Sequence, residues 1–143
     1  MRPAQLPIGL QLTHVARTVG RAFDDALTRA GGSLPVWLVL LAMTTRHLAS
    51  QRELADAVGI REATLTHHLN AMESAGLISR HRDPGNRRIH VVRLTPSGDE
   101  MFRTLRDAAL DFDQRLRTGV ADDEVAALRD LLGRLSANAA PPG

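Results

Sequence analysis

Polar and basic residues suited to binding a polyanion are concentrated in two stretches of this 143-residue sequence. Positions 80 to 93 hold five arginines against one aspartate, and a local excess of positive charge of this kind attracts phosphate groups. Positions 61 to 70 are predicted to form a helix whose outer side carries Arg61, Ala63, Thr64, Thr66, His67 and Asn70. Hydroxyl, imidazole and amide groups can hydrogen-bond phosphate oxygens or base edges. For both stretches the alternative is a solvated polar surface without a partner.

Histidines and acidic residues point to a second kind of chemistry, that of a metal-dependent enzyme. The sequence has six histidines, and Asp122, Asp123 and Glu124 follow one another. Adjacent residues on a helix point about 100° apart, so His67 and His68 are poorly placed to bind one ion together. Consecutive carboxylates are also typical of a helix start. We therefore predict no metal site, no cofactor and no catalytic residue, and the absence of cysteine excludes thiol chemistry.

Helical periodicity and capping residues predict the elements that hold these groups. Apolar residues recur every three or four positions from Ile8 to Ala30, which predicts a first helix. Ser33 can cap a second helix, which is apolar on nearly all sides and is therefore expected to be buried. Ser50 and Glu53 have the spacing of a capping box, in which each side chain accepts a hydrogen bond from the other residue's backbone. They predict the start of a third helix.

A fourth helix is predicted after a short turn at Gly59 and ends before Gly76. Its inner side carries Leu65, Leu69 and Met72, spaced as neighbours on one face of a helix. Two short helices joined by a short turn form the helix-turn-helix pattern. The polar stretch at positions 61 to 70 is then the outer side of its second helix, the one that enters the major groove in such motifs.

A β-hairpin is predicted directly after the fourth helix. Its strands are residues 77–82 and 89–94, which are rich in β-branched residues. The intervening Asp83-Pro84-Gly85-Asn86 predicts a type II turn, with proline and glycine in its two central positions. The expected fold class is mainly α (α+β), a winged helix-turn-helix with a two-stranded β wing.

Two further helices are predicted after the wing. Thr95 can cap the fifth helix, with Pro96 at its first position, and the acidic run starts the sixth. The residues of the sixth helix expected to lie inside are Val125, Leu128, Leu131, Leu132 and Leu135. The first, fifth and sixth helices carry longer apolar stripes than the small winged core can cover.

The order of elements and five short motifs resemble the MarR family of bacterial winged-helix repressors. The motifs are Glu53-Leu54-Ala55, Thr64-Leu65-Thr66, Gly76-Leu77-Ile78-Ser79-Arg80, Asp83-Pro84-Gly85-Asn86-Arg87-Arg88 and Leu94-Thr95-Pro96-Ser97-Gly98. The resemblance implies one MarR-type domain over residues 1–143. It places a DNA-binding region at 33–94 and dimerisation helices at 1–32 and 95–140. It also implies a DNA-binding transcriptional regulator rather than an enzyme.

Two departures from the family pattern affect the predicted DNA contacts. The resemblance places Arg87 and Arg88 at the tip of the wing, where guanidinium groups can reach the minor groove. Arg88 matches the arginine of an Asp-x-Arg element, but Asn86 stands where the family has the aspartate, so the charge pairing of Arg88 is lost. A neutral Asn86 can still brace Arg88 by hydrogen bonding. Arg61 occupies the approximate N-cap of the fourth helix, where a small residue is expected, and can bind phosphate there.

The resemblance also implies an intertwined homodimer on double-stranded DNA. The expected interface residues are Ile8, Leu12, Phe112, Leu116, Leu128, Leu131 and Leu135. Two recognition helices related by a two-fold axis bind a pseudo-palindromic operator with half-sites about 10 base pairs apart. No apolar run approaches the roughly 20 residues needed to span a bilayer, so we expect a cytoplasmic protein without a membrane partner.

A small aromatic or phenolic effector is the last expectation drawn from the family. The candidate effector-binding residues are His14, Arg17, Trp37, Met43 and His47. Arg17 can pair with a carboxylate and Trp37 can stack on a ring. The alternatives are that Trp37 belongs to the core, that Arg17 pairs with an aspartate of a partner helix and that His47 lies in a loop. A protein of the same fold with no effector is a further alternative.

Overall fold

The computed structural model of the protein describes residues 6–143. The helices and strands of this part of the chain are α1 (Ile8–Arg29), α2 (Leu34–Thr45), α3 (Gln51–Val58), α4 (Glu62–Ser74), β1 (Ile78–Arg82), β2 (His90–Leu94), α5 (Pro96–Leu116) and α6 (Asp122–Ala139). The two strands form one antiparallel sheet. The predicted fold class, mainly helical with a two-stranded wing, is confirmed.

The chain divides into two compact units, Met1–Ala109 and Leu110–Gly143. The core of the first unit, among its described residues, combines apolar side chains from α1 to α5 and from both strands. Its fully buried members are Leu27, Leu40, Leu54, Leu65, Leu69, Met72, Leu105, Val39 and Val92. This core holds α3, α4 and the wing against α2 and the first part of α5.

Helix α2 is the most apolar helix and lies in this core, as predicted. Ser33 caps it, because the Ser33 hydroxyl accepts a hydrogen bond from the backbone N–H of Val36 at 3.3 Å. The ring of Trp37 stacks on that of Phe102 in α5, with centroids 5.4 Å apart and planes 11° apart. Within residues 6–143, no single helix is long and apolar enough to cross a membrane; α1 and α2 meet that test only together, with a bend of 79° between them.

The helix-turn-helix forms as the sequence predicts, with one difference at its start. The Ser50 hydroxyl accepts a hydrogen bond from the backbone N–H of Glu53 at 3.1 Å, which is the first half of a capping box. The reciprocal bond, from the backbone N–H of Ser50 to the Glu53 carboxylate, is not formed among the described residues. Gly59 ends α3 in the left-handed conformation, with φ of 79°, which lets the chain turn sharply into α4.

The wing differs from the predicted hairpin in two respects. The backbone N–H of Val92 donates to the carbonyl of Ala49 at 2.7 Å, and Ser50 bridges to Val91, so the segment before α3 extends the sheet. The predicted type II turn is wrong. Asn86 N–H does donate to the Asp83 carbonyl at 3.2 Å, but Gly85 lacks the positive φ that a type II turn requires at this position.

Helix α5 starts where the sequence predicts and is tied to the end of α4. The Thr95 hydroxyl accepts a hydrogen bond from the N–H of Gly98 at 3.0 Å and donates one to the carbonyl of Gly76 at 2.6 Å. Gly98 is buried against the wing, and a Cβ atom there would lie 2.0 Å from the carbonyl oxygen of Leu77. Only glycine fits this contact, which sets the start of α5 against the wing.

Helix α6 has no buried residue in the single chain. The prediction that its leucines lie inside is therefore wrong for the monomer, since Leu128, Leu131 and Leu132 are 51%, 48% and 42% exposed. The acidic run stabilises the helix start, since the Glu124 carboxylate accepts from the backbone N–H of Ala121 at 3.0 Å. Asp122 pairs with Arg117 at 3.1 Å.

Candidate nucleic-acid interface

The outer side of α4 is an open surface at its N-terminal end. Arg61 is the N-cap, as predicted, and its side chain makes no capping hydrogen bond. Ala63, Thr64 and His67 are all exposed, whereas Leu65 and Leu69 are buried. The fold therefore holds the helix by its apolar side and leaves an arginine, a hydroxyl and an imidazole accessible along the opposite side.

Thr66, predicted as a DNA contact, is placed between α3 and α4. Its hydroxyl donates to the carbonyl of Glu62 at 2.9 Å and accepts from the side-chain amide of Gln51 at 2.8 Å. The single hydroxyl proton is thus already used, so Thr66 has none to donate to a phosphate oxygen in this arrangement. Its observed role is to tie the first residue of α3 to the recognition helix.

Asn70, the last predicted contact on α4, is joined to the wing. Arg80 in β1 donates from Nη2 to Asn70 Oδ1 and to Glu73 Oε1, the latter at 3.1 Å. The backbone N–H of Arg80 donates to Glu73 Oε2 at 3.0 Å. The side-chain hydrogen bond from Arg80 lowers the pKa of Glu73 below its ordinary value. Partial desolvation of the carboxylate raises this pKa, whereas the backbone hydrogen bond and the positive charge of Arg80 lower it further.

The sequence analysis does not single out Arg80, Glu73 or Gln51 as individual site residues. Part of the pattern that underlies the contact of Arg80 with α4 is nevertheless visible in the sequence. Asn70 and Glu73 are three positions apart on α4 and therefore share a face of the helix. Arg80 is the first arginine of the basic stretch that follows. The partnership itself depends on the antiparallel wing folding back along α4, which spacing does not reveal.

The tip of the wing is braced by hydrogen bonds to its backbone. Asp83 Oδ1 accepts from the N–H of Gly85 at 2.9 Å, and Asn86 Oδ1 accepts from the N–H of Arg88 at 3.1 Å. Arg82 Nη1 donates to the carbonyl of Arg87 at 2.9 Å. Asn86 therefore supports the backbone of Arg88 and not its guanidinium group. The side chains of Arg87 and Arg88 are exposed.

A groove of about 790 Å³ lies between the starts of α3 and α4 on one side and the wing on the other. Its charged and imidazole side chains are Arg52, Glu53, Glu62, Asp83, Arg88 and His90. A second cleft, of about 420 Å³, shares Gln51, Thr66 and His90 with it and reaches Arg80 and Arg82. Glu62, Ala63 and Thr66 of α4 and Arg80, Arg82 and Arg88 of the wing line these two adjoining clefts.

The candidate effector residues lie partly in the core and partly on the surface. Trp37 and Met43 are buried in the core, and the ring of Trp37 is already stacked on Phe102. Trp37 therefore belongs to the core, as the alternative expects, and contact of Trp37 and Met43 with a ligand stays a prediction. His14 and Arg17 are exposed on α1, and His47 is exposed just after α2 with φ of 53°.

The residues predicted to form a dimer interface leave apolar surface exposed. Ile8 at the start of α1 and Leu116 at the end of α5 are 57% and 49% exposed. Leu12, Phe112 and Leu135 are half-buried.

In residues 6–143, no three histidine, aspartate or glutamate side chains are grouped so that they could hold a metal ion.

Comparison with known proteins identifies the family of this chain. The model of the MarR family matches residues 33–90, which span α2 to the wing. An uncharacterized HTH-type transcriptional regulator of Bacillus subtilis, YdgJ, is 34% identical over 128 residues, covering 90% of this chain and 76% of that protein.

Solved structures resemble this chain along nearly its whole length. The PcaV transcriptional regulator of Streptomyces coelicolor, in complex with its natural ligand, has a TM-score of 0.79 and 25% identity, covering 94% of this chain and 98% of that one. A mutant of MarR from E. coli, complexed with operator DNA, has a TM-score of 0.81 at 24% identity, covering 91% and 94% of the two chains. The second likeness establishes a shared fold.

Proposed function

Since this chain belongs to the MarR family of transcriptional regulators, we propose that it is a homodimeric repressor that binds a pseudo-palindromic DNA operator and is released by a small-molecule effector. Its homologues are regulators and not enzymes, and we propose no enzymatic activity for it. Its site of action is then the cytoplasm, where bacterial DNA is found.

The observation that carries this proposal is the groove between α4 and the wing. A recognition helix in the major groove and a wing in the adjacent minor groove must pass on either side of one phosphate backbone. Ala63, in the exposed N-terminal part of α4, and the exposed Arg88 of the wing lie on the two sides of such a groove.

The proposed contacts fall into two groups. Arg61, Arg87 and Arg88 bind phosphate or the minor groove, where a guanidinium group responds to negative potential. Thr64 and His67, with Ala63 beside them, meet base edges in the major groove. Thr66 is proposed to act through its bonds to Gln51 and Glu62, by holding α4 in position.

The proposed dimer uses the exposed apolar residues of the terminal helices. In α6, Leu128, Leu131 and Leu135 lie on one stripe at helical spacing and none of them is buried. An apolar stripe of this length is typical of an interface between chains. A two-fold axis would then place two recognition helices on half-sites about 10 base pairs apart.

The proposed effector is a small aromatic or phenolic acid. Arg17 and His14 are three positions apart and therefore share the exposed side of α1. An exposed guanidinium group suits a carboxylate, and the nearby imidazole can bond a phenol. His47 is the third exposed polar residue proposed for this ligand. The natural ligand bound to PcaV is evidence for ligand binding by that protein, and it motivates the same search here.

Selection of bound sequences from a random DNA pool tests the DNA-binding proposal directly. The full-length protein is expected to enrich a pseudo-palindrome, and fluorescence anisotropy should give tighter binding to it than to a scrambled duplex. Specific affinity is typically at least about 1,000-fold above non-specific affinity. Enrichment of no sequence, with equal affinity for both duplexes, would overturn the proposal.

A thermal-shift screen tests the effector. Benzoic and hydroxybenzoic acids are expected to raise the melting temperature and to release the selected operator, because an inducer must favour the DNA-free state. Arg17→Ala should abolish both effects, while Arg29→Ala, the same change at an exposed position on another side of α1, should preserve them. If no acid shifts the melting temperature or releases DNA, the chain is a DNA-binding protein without this class of effector.

A further inference from the structure

The wing is anchored in the core at its base, where Ile78 and Val92 are buried. Residues 81–90, farther out, are exposed apart from Asp83, which is half-buried. Within the described part of the chain, the hydrogen bonds of residues 81–90 are all formed with other residues of the wing. The direction of this outer part, which carries Arg88, therefore depends on the contacts formed next to the buried base.

Arg80, two positions beyond Ile78 in β1, joins the wing directly to α4. Its Nη2 donates to Asn70 Oδ1 and to Glu73 Oε1, the latter at 3.1 Å. Its backbone N–H donates to Glu73 Oε2 at 3.0 Å. The side chain of Arg80 is only 19% exposed, so this ion pair is better shielded from solvent than one on an open surface. These three hydrogen bonds, the Arg80 contact, fix β1 against the C-terminal half of α4.

The other strand is linked to α4 through the start of α3. Arg80 pairs with Val92 across the sheet, and the backbone N–H of Val92 donates to the carbonyl of Ala49 at 2.7 Å. Two residues after Ala49, the side-chain amide of Gln51 donates to the Thr66 hydroxyl of α4 at 2.8 Å. Both strands are therefore connected to α4 at the same level of the wing, one directly and one through α3.

A fixed connection between α4 and the wing has a consequence for binding a duplex in two grooves. Contacts made by both elements contribute fully only when the elements are already held at the separation that the phosphate backbone requires. A wing that is free to move must be ordered on binding, and this ordering lowers affinity. Because Arg88 lies beyond the Arg80 contact, its contribution should depend on that contact.

We propose that Glu73 and Arg80 are positioning residues for DNA binding, which hold the wing at a fixed angle to α4 and thereby set the position of Arg88. This inference rests on the proposed function, because it concerns the two elements that are proposed to meet DNA. Glu73 acts through Arg80, and neither residue is assigned a contact with the operator.

Glu73→Ala separates positioning from electrostatics, because the two predict opposite changes in affinity. Loss of a negative charge near the DNA should by itself tighten binding. Loss of two of the three hydrogen bonds of the Arg80 contact should instead weaken binding to the selected operator by about ten-fold, the effect of losing one hydrogen bond between charged groups. Glu100→Ala, the same change at an exposed position of α5, is the control for charge.

The salt dependence of binding gives a second readout for Glu73→Ala. Its slope of log affinity against log salt should approach that of Arg88→Ala, although no positive charge has been removed, because Arg88 no longer neutralises a phosphate. A loss of stability alone does not produce this change when the variant is folded at the temperature of the assay. Thermal melting establishes that condition.

Combination with Arg88→Ala shows whether Arg88 acts through the Arg80 contact. In wild-type protein and in the Glu100→Ala background, Arg88→Ala should weaken operator binding by about ten-fold. In the Glu73→Ala background the same change should weaken it by less than about three-fold, since independent contacts would be additive and coupled ones are not. Arg80→Met should give the same result as Glu73→Ala. If Arg80→Met does not fold, Glu73→Ala decides, because the Glu73 side chain is 41% exposed and its removal leaves no cavity in the core.

The outcomes distinguish this inference from the proposed function. If the wild-type protein enriches no sequence, the proposed function fails and this inference fails with it. If it enriches an operator that Glu73→Ala binds as tightly as wild type or more tightly, only this inference is overturned. Equal effects of Arg88→Ala in the wild-type and Glu73→Ala backgrounds would also overturn it, since Arg88 would then be positioned independently of the Arg80 contact.

Discussion

Asp24, in the last two turns of α1, caps the start of α2: its Oδ1 accepts a hydrogen bond of 2.8 Å from the backbone N–H of Leu34. Ser33 accepts from Val36 in the same turn. The first four N–H groups of a helix have no partner within it, so each such acceptor stabilises the helix start. One helix thereby fixes the position where the next begins.

Removing this hydrogen bond should destabilise the fold measurably. Asp24→Ala is expected to lower the free energy of unfolding by about 0.5–2 kcal/mol, the range for removal of a helix cap. Asp25→Ala is the matched control, because it changes the net charge equally and Asp25 does not cap α2. Urea unfolding at one protein concentration gives both values. Equal values for the two variants would show that the Asp24 bond contributes nothing.

Gly98 should tolerate no side chain. A Cβ atom would lie 2.0 Å from the carbonyl oxygen of Leu77, and a backbone atom cannot move aside as a flexible side chain can. Gly98→Ala is expected to cost about 1–3 kcal/mol or more, as overpacking does. Gly20→Ala in α1, where nothing lies within 4 Å, should instead leave stability unchanged or raise it. Thermal melting compares them, and an unchanged melting temperature for Gly98→Ala would contradict the close approach of α5 to the wing.

Arg88 should contribute to DNA binding through the phosphate backbone or the minor groove. Arg88→Ala is expected to weaken binding to all sequences and to reduce the slope of log affinity against log salt by about 0.9 for one phosphate that is no longer neutralised. Arg134→Ala removes the same charge from α6 and is the control for a general charge effect. If log affinity depends on log salt with the same slope for Arg88→Ala and for the control, Arg88 does not contact the DNA.

The ion pair of Glu73 and Arg80 should make part of the stability depend on pH. Because Arg80 lowers the pKa of Glu73 below its ordinary value of 4.5, the carboxylate stabilises the folded state above about pH 4.5, and this contribution is lost as the pH falls through the lowered value. Glu73→Gln should therefore melt below wild type near neutral pH, with the difference narrowing in acid. In an Arg80→Met background the same change should show no such pH dependence.

The exposed stripe of α6 should be needed for assembly. Leu131→Asp is expected to convert the dimer to a monomer, because it places a charge within an apolar interface. Ala126→Asp on the opposite side of the same helix should remain dimeric. Light scattering after size-exclusion chromatography gives the mass of each. If the wild-type protein is a stable monomer at micromolar concentration, the interface prediction is wrong.

The sequence alone determined the features that depend on a few neighbouring residues. Ser33 and Thr95 cap helices as predicted, and the apolar periodicity places α1 and α4 close to their observed bounds. A capping side chain bonds an N–H two or three positions away, and the apolar residues of an amphipathic helix recur about every 3.6 positions. Both features can therefore be recognised within a short stretch of sequence. The fold class followed from the order of such elements.

Contacts between distant parts of the chain were decided only by the tertiary structure. Trp37 stacks on Phe102, and Asn70 bonds Arg80, across separations that leave no periodic signal in the sequence. For this reason the sequence suggests Trp37 as a ligand contact and Asn70 as a DNA contact but does not reveal the neighbour of either residue. An exposed polar group keeps all its hydrogen-bonding capacity for a partner, but a neighbour brought close by folding takes part of it, and only the packed chain shows which part remains.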